Sequence, residues 1–208
     1  MKRLLFLLFA VSAATGTVTA QNQAVGAGQR DKAFLLDYYQ QTLTDLQRAV
    51  DGLNGAQLRF QPAPDKWSIS QCLEHIIATE QALLGYAKKT ISQAPNPERR
   101  SEINVSDDDV IKGMTDRSFK AQAPGELAPK EAGKYTNADA AIKDLRKQRK
   151  ELIGYIDGLS SDDLRNRIAD SPFGPVDGFH SLLYIPAHTA RHTLQIEEIK
   201  ADRKFPAK

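Results

Sequence analysis

The sequence predicts an all-α protein: a four-helix bundle with a long crossover between the second and third helices. Four segments of about 20 residues carry apolar residues at the three- and four-residue spacing of an amphipathic helix. Prolines mark the connectors, and no segment shows convincing strand alternation. About 45 residues separate the second segment from the third. So long a connection is uncommon in a compact domain unless it crosses over something or lines a site.

The first helix is predicted from about Arg30 to Val50. The positions of its apolar face recur every three or four residues, at Phe34, Leu35, Tyr38, Leu46, Ala49 and Val50, with Thr42 as a tolerated polar member. Gly52 ends the pattern. Pro62 and Pro64 in the following connector forbid a continuing helix there, because proline lacks the amide that a helix needs.

The second helix is predicted to begin after Ser68 and to last to about Ile91. Ser68 and Gln71 have the spacing of a capping box, in which each side chain bonds the other residue's backbone amide. In the long connection that follows, the acidic run after Ser106 is expected to begin a short helix that reaches Met114, because acids favour a helix N-terminus.

The third helix is predicted from about Asn137 to Asp157, with Thr136 and Asp139 as its cap. We expect its basic residues to form a solvated face; they are Lys143, Arg146, Lys147, Arg149 and Lys150. Turn residues follow over 171–178. The last helix is predicted from about Phe179 to Ala201, with a kink at Pro186.

Composition excludes several classes of protein. The chain has 208 residues, 41% hydrophobic and 26% charged, which is ordinary for a globular domain and unlike fibrous or disordered chains. Its 28 basic and 26 acidic residues give a formal charge of +2, which offers little drive toward a phosphate backbone, so nucleic acid is not an expected partner. The single cysteine, Cys72, excludes an intrachain disulfide framework and any multi-thiolate zinc site.

The N-terminus has the layout of a secretory signal peptide. Lys2 and Arg3 precede an unbroken apolar run over residues 4–11, and small residues lead to a cleavage site after Ala20. The apolar run is too short to span a bilayer, so no membrane span is expected after cleavage. We therefore predict a signal peptide over 1–20, a flexible leader over 21–29 and a bundle domain over 30–203, in a periplasmic or secreted protein.

Three of the four histidines fall on faces that point into the predicted bundle. His188 and His192 are four residues apart and therefore lie on one helix face, as two ligands of one metal ion do. His75 on the second helix is the candidate third ligand, although one histidine on an apolar face is also an ordinary hydrogen-bonded core residue. Three imidazoles would leave an open fourth position, as in catalytic zinc sites. His180 lies eight residues before His188, too far to join them, and is expected to be a surface or packing residue.

Three further residues are candidates for the surroundings of this site. Tyr184 and Gln195 lie about one turn from the histidine pair and are candidates for a hydrogen-bond donor behind the ligands or a substrate contact. Cys72 is either a fourth ligand or a small buried thiol. Zinc proteases with two histidines at this spacing carry a glutamate base directly after the first histidine, where this chain has Thr189. The sequence therefore excludes a protease of that class. No catalytic residue is identified.

The order of these motifs resembles the DinB/YfiT-like superfamily. The resemblance is carried by residues 66–70 (KWSIS), 73–76 (LEHI) and 188–192 (HTARH), followed by Gln195. It implies a four-helix bundle that binds one divalent metal ion, such as zinc or nickel, through His75, His188 and His192. Family members include metal-dependent hydrolases and thiol-dependent S-transferases or isomerases, and homodimers are frequent. Leu194 replaces a glycine that is common in the family.

The resulting functional prediction is an exported metal-dependent hydrolase of an unidentified small substrate. One alternative is a non-enzymatic, stress-associated metal-binding protein. Another is a thiol-dependent S-transferase or isomerase, but small-thiol cofactors are cytosolic, and the signal peptide argues against that chemistry here.

Overall fold

A computed structural model describes residues 29–119, 122–129, 133–172 and 174–208 of the chain. The described elements, in chain order, are α1 (Lys32–Val50), α2 (Gly55–Arg59), α3 (Ile69–Ile91), a 3₁₀ helix (Pro97–Glu102), α4 (Asp107–Thr115), α5 (Ala138–Asp157), α6 (Ser161–Arg165), β1 (Ile168–Ser171), β2 (Gly174–Asp177) and α7 (Gly178–Lys200). The four long helices α1, α3, α5 and α7 form the bundle, which confirms the predicted fold class. The predicted signal peptide and nearly all of the predicted leader lie outside the described residues.

Side-chain caps fix where the helices begin. Ser68 and Gln71 form the predicted capping box of α3: the Ser68 amide donates to Gln71 Oε1 over 2.8 Å, and the Gln71 amide donates to Ser68 Oγ over 3.2 Å. Ser106 caps α4 in the same way, as the acidic run predicts. The predicted Thr136 cap of α5 is wrong, because the Asn137 side chain accepts the Asp139 amide over 2.7 Å and α5 starts one residue later.

Helix α7 is central in the fold and packs against α3, α1 and α4. Two clusters of buried apolar side chains form the core. One holds Ile69, Leu73, Ile76, Leu145 and Ile196, among others. The other holds Leu35, Leu152, Phe179, Leu182 and Leu183, among others. Because α7 contributes to both clusters, its side chains are held against neighbouring helices along most of its length.

Residues 116–135, which make up most of the chain between α4 and α5, are here called the crossover segment. Its start is held by Arg191 of α7, whose guanidinium donates to the carbonyl oxygens of Met114, Asp116 and Phe119. Its end is held by Ser70 of α3, whose Oγ donates to the Tyr135 carbonyl over 2.6 Å and accepts the Tyr135 amide over 3.0 Å. The segment therefore runs from α7 to α3, the two helices that carry the candidate histidines.

The expectation of no strands is wrong. Strands β1 and β2 pair antiparallel, with Ile168 opposite Asp177 and Ser171 opposite Gly174. Each strand has only four residues, too few for alternation to stand out in the sequence. Gly174 has a φ of +97°, a backbone conformation that glycine adopts readily, so the residues interpreted as turn form a hairpin.

The expectation that Arg149 belongs to a solvated basic face is also wrong. Its side chain is 1% exposed, whereas the other basic residues of that face, Lys143, Arg146, Lys147 and Lys150, are exposed. The reason is helical geometry: Arg149 follows Leu145 by four residues and precedes Leu152 by three, so it shares their buried face.

Two further findings concern the long helices. Helix α7 is continuous from Gly178 to Lys200 with Pro186 inside it. None of the described helices is long and apolar enough to cross a membrane.

Candidate metal centre

The structure brings together the three histidines that the sequence singles out. His75 lies on α3, and His188 and His192 lie one turn apart on α7. The Nε2 atom of His188 is 3.1 Å from His75 Nε2 and 3.1 Å from His192 Nε2. The candidate ligand atoms all lie within 4.8 Å of one another, so these three residues, here called the histidine cluster, form a group able to hold a metal ion.

Hydrogen bonds from Nδ1 orient two of the three rings. Nδ1 of His75 is 2.8 Å from the Leu127 carbonyl oxygen, and Nδ1 of His192 is 2.8 Å from Gln195 Oε1. A carbonyl oxygen only accepts hydrogen bonds, so each Nδ1 carries the proton and donates it. In a neutral imidazole the proton on Nδ1 leaves a lone pair on Nε2. Both rings therefore direct a lone pair toward His188.

This arrangement of lone pairs fits one metal ion. Two nitrogens that each lie about 2.1 Å from one tetrahedral ion are about 3.4 Å apart, close to the two Nε2 separations of 3.1 Å. Without an ion, one proton on His188 Nε2 would have to be shared between two acceptors, the Nε2 atoms of His75 and His192. A cation placed among the three nitrogens accepts all three lone pairs. The convergence of the three Nε2 atoms therefore suits a metal site better than a set of hydrogen bonds in the core.

Burial keeps the imidazoles neutral. Removal from water is the main cause that lowers the pKa of His188 to about 3, with smaller contributions to the same shift from His75 and Arg191. Burial is also the main cause that lowers the pKa of His75 and His192 below the ordinary 6.5. In His192, repulsion from Arg117 and from the other two rings when they are protonated adds to the effect. Neutral rings at pH 7 are the state that coordinates a metal.

Trp67 forms one side of the cluster. Its ring stacks on His192 at an interplanar angle of 17° with the centroids 5.9 Å apart, and it meets the His75 ring edge-on at 4.8 Å. His75 and His192 are only 4% and 7% exposed. Thr79 Oγ1 also lies 3.2 Å from His75 Nδ1. The aromatic contact and the hydrogen bonds hold the rings in place and restrict access of water.

The other candidate residues divide between the site and the core. Gln195 contacts the histidine cluster directly, through His192. Cys72 is fully buried in the first apolar cluster and does not join the metal-binding group, and burial raises the pKa of its thiol to about 12. Tyr184 packs against the second apolar cluster. The structure thus favours the buried-thiol interpretation of Cys72 over a fourth ligand.

His180 lies outside the histidine cluster, as predicted from its distance along the helix, but it is buried rather than on the surface. Its side chain is 3% exposed, and its Nε2 is 2.9 Å from Asp107 Oδ1 on α4. Arg165 binds the same carboxylate and also Asp177, the cap of α7. His180 therefore belongs to a polar network that joins α4, α6 and the start of α7.

Sequence reasoning did not assign a role to the Leu127 carbonyl, to Thr79 or to the ring of Trp67. Every residue carries a carbonyl, so no pattern of side chains marks Leu127. The signals that pointed toward these contacts were indirect. They were the unusual length of the connection between the second and third predicted helices and the position of Trp67 within the motif at residues 66–70.

Comparison with known proteins defines the class of protein that this fold and site represent. Residues 38–196 match the family model of the DinB superfamily, so the chain belongs to that superfamily. This confirms the resemblance seen in the sequence motifs.

Two individual proteins are similar to this chain. The uncharacterized protein YuaE of Bacillus subtilis (strain 168) is 24% identical over 151 residues, which cover 73% of this chain and 88% of YuaE. The solved structure of YfiT from Bacillus subtilis is similar with a TM-score of 0.54 at 13% identity, over 81% of this chain and 85% of YfiT. YfiT is described as a probable metal-dependent hydrolase with an unusual four-helix bundle topology.

Proposed function

We propose that this protein holds one divalent metal ion on the Nε2 atoms of His75, His188 and His192 and uses it to hydrolyse a small substrate. The observation that carries the proposal is the convergence of three neutral imidazoles, two of which have Nδ1 engaged elsewhere and Nε2 free. The description of YfiT, a protein of similar fold, as a metal-dependent hydrolase adds support.

The donor set indicates the kind of metal and its chemistry. Three imidazoles without a thiolate suit zinc or nickel, and we propose one of these two as the resident ion. An ion held by three imidazoles with a fourth position open supplies Lewis-acid activation of water and of a carbonyl group.

Residues around the histidine cluster orient the imidazole rings, limit the access of water and contribute positive charge. Leu127 and Gln195 hold the rings of His75 and His192 in the tautomer that leaves Nε2 free. Trp67 covers two of the rings and limits the entry of bulk water. The positive charge of Arg191 contributes to the lowered pKa of His188, whereas Arg117 is paired with Glu198 over 2.7 Å. We expect the charge of Arg191 to favour a negatively charged or oxygen-rich group at the open position.

The proposal is tested with purified protein loaded with zinc, nickel or manganese, or kept metal-free, and assayed on a panel of carboxylic esters and amides. We expect one bound ion per chain and hydrolysis that depends on it. We expect His192→Ala to lose both. His180→Gln is the matched control, because it removes another buried histidine of α7 from outside the cluster. It is expected to keep both metal and activity.

Hydrolysis that survives His192→Ala unchanged would contradict the proposed mechanism. Tight metal binding with no turnover across the panel would contradict the hydrolase and favour a non-enzymatic metal-binding protein. A charge-transfer band on the cobalt-loaded protein after addition of a small thiol would favour the thiol-dependent alternative.

The location and assembly of the protein are separate proposals. We propose export through the N-terminal signal sequence, with cleavage after Ala20, on the basis of the basic, apolar and small-residue order of residues 1–20. N-terminal sequencing of the protein recovered outside the cytoplasm tests it. The homodimer implied by the family resemblance is tested by light scattering on the purified protein.

A further inference from the structure

An ion pair is buried at the centre of the bundle. Nε of Arg149 on α5 donates to Glu80 Oε2 on α3 over 2.7 Å, and the two side chains are 1% and 2% exposed. Removal of both charges from water is costly, so a buried pair of this kind is weak evidence for stability by itself. A role in fixing how the helices are arranged is the better-attested use of such pairs.

The Arg149 guanidinium, carried by α5, contacts each of the other three long helices. Besides Glu80 on α3, its Nη1 donates to the Tyr39 carbonyl on α1 over 2.7 Å and to Thr42 Oγ1 over 3.2 Å. Its Nη2 donates to Thr189 Oγ1 on α7 over 2.8 Å. Since the guanidinium is planar and rigid, these bonds fix the relative positions of the helices more tightly than apolar contacts would.

Two of these contacts lie next to the histidine cluster in the sequence. Thr189 directly follows His188 and is three residues before His192. Glu80 directly follows Thr79, whose Oγ1 lies 3.2 Å from His75 Nδ1. One guanidinium therefore joins the helix that carries His75 to the helix that carries His188 and His192. A shift of one residue between those helices would move the rings about 1.5 Å relative to each other.

We propose that Arg149 is a positioning residue, which sets the spacing of the three imidazoles by bonding Glu80 on α3 and Thr189 on α7 at once. The inference rests on the proposed function, because the spacing matters most where one ion must be held by all three rings. Metal sites tolerate deviations of only about 0.5 Å in their ligands, and loss of a supporting partner typically lowers metal affinity 10–100-fold.

The test uses Thr189→Val, which keeps the shape of the side chain and the Arg149–Glu80 pair but removes the hydroxyl that Arg149 bonds. Cobalt(II) is the probe, because its visible d–d bands report the geometry of the ligands. We expect cobalt to bind Thr189→Val about tenfold more weakly, with shifted bands. Thr189→Ser, which restores the hydroxyl, is expected to return both properties to those of the wild type.

Arg165→Met is the matched control. It removes a largely buried guanidinium that bonds Asp107 and Asp177. Asp177 caps α7 eleven residues before His188, about 16 Å along the helix. We expect this variant to melt at a lower temperature but to keep the wild-type cobalt affinity and spectrum. Arg149→Met combined with Glu80→Gln is the second test variant, since it avoids leaving an unpaired buried charge.

A structural readout keeps the inference testable without metal. In crystals of the metal-free protein, we expect the separation between His75 Nε2 and His188 Nε2 to differ from the wild type in Thr189→Val and in the double variant, but not in Arg165→Met. Unchanged separations and cobalt spectra in both test variants would overturn the positioning role. A wild type that binds no metal would instead refute the proposed function, while the crystallographic comparison would still decide the role of Arg149.

Discussion

Nε2 of His75 lies 3.1 Å from Nε2 of His188, although 113 residues separate the two histidines in the chain. The approach depends on the packing of α3 against α7 and on the crossover segment, which binds both helices. The histidine cluster therefore exists only in the folded chain. A ligand that binds the cluster must stabilise the fold, because it has no equivalent site in the unfolded state.

Trp67 gives a direct optical signal for the site. It is the only tryptophan of the chain and stacks on His192. We expect titration with nickel or cobalt to quench its fluorescence to saturation at one ion per chain, because ions with partly filled d shells quench an indole in close contact. Zinc, with a full d shell, should quench much less. The same titration of His192→Ala should leave the emission unchanged; equal quenching in that variant would place the ion elsewhere.

Replacement of Gln195 by Leu should weaken metal binding without removing a ligand. The variant takes away the oxygen that accepts the His192 Nδ1 proton, so the ring loses its fixed orientation and tautomer. We expect a 10–100-fold increase in the zinc dissociation constant, measured by competition with a chelator. Glu197→Ala, at an exposed position two residues away on α7, is the control and should bind as the wild type does. Equal affinities for both variants would show that Gln195 does not support His192.

The metal-free protein should lose stability as the pH falls below about 6.5. Burial lowers the pKa of all three clustered histidines, that of His188 to about 3, so the unfolded chain binds protons that the folded chain does not. The free energy of unfolding is therefore highest above pH 6.5. Below that value it falls by about 1.4 kcal/mol per pH unit for each histidine that stays neutral in the fold.

Urea unfolding between pH 7 and pH 4.5 checks this dependence. That window lies above the range in which Asp107 titrates, since hydrogen bonds from His180 and Arg165 outweigh its burial and lower its pKa to about 2. His188→Gln should reduce the slope by about 1.4 kcal/mol per pH unit. An identical slope in the variant would mean that His188 is not held neutral.

Two glycine-to-alanine changes should have opposite effects on stability. Gly133, in the crossover segment, has a φ of +94°, and a Cβ there would lie 2.5 Å from Ser70 Oγ and 2.6 Å from the Gln71 nitrogen. We expect Gly133→Ala to destabilise the protein by about 1–3 kcal/mol through strain and steric overlap. Gly154 is exposed inside α5 with open space around it, so Gly154→Ala should stabilise by about 0.5–1 kcal/mol. Denaturant titrations measure both, and a loss of stability in Gly154→Ala would contradict the account of α5.

Much of the fold could be predicted because its signals are local. The capping box of Ser68 and Gln71 and the apolar periodicity of the long helices involve residues at most a few turns apart. The strands β1 and β2 were not predicted, since four-residue strands carry too little pattern. The burial of Arg149 was not predicted, because a charged side chain is expected to be exposed to water unless a buried partner is known. That partner, Glu80, lies on another helix.

The sequence by itself determined the four long helices, the alignment of His188 with His192 on one helix face, and the family to which the chain belongs. The helices and the histidine alignment depend on hydrogen bonds and residue spacings within one helix, and the family depends on the order of motifs along the chain. Only the tertiary structure decided that His75 meets the other two rings, that the Leu127 carbonyl orients it, and that Arg149 lies buried among four helices. Those contacts join residues far apart in the chain, and their free energy arises only when the helices pack and exclude water.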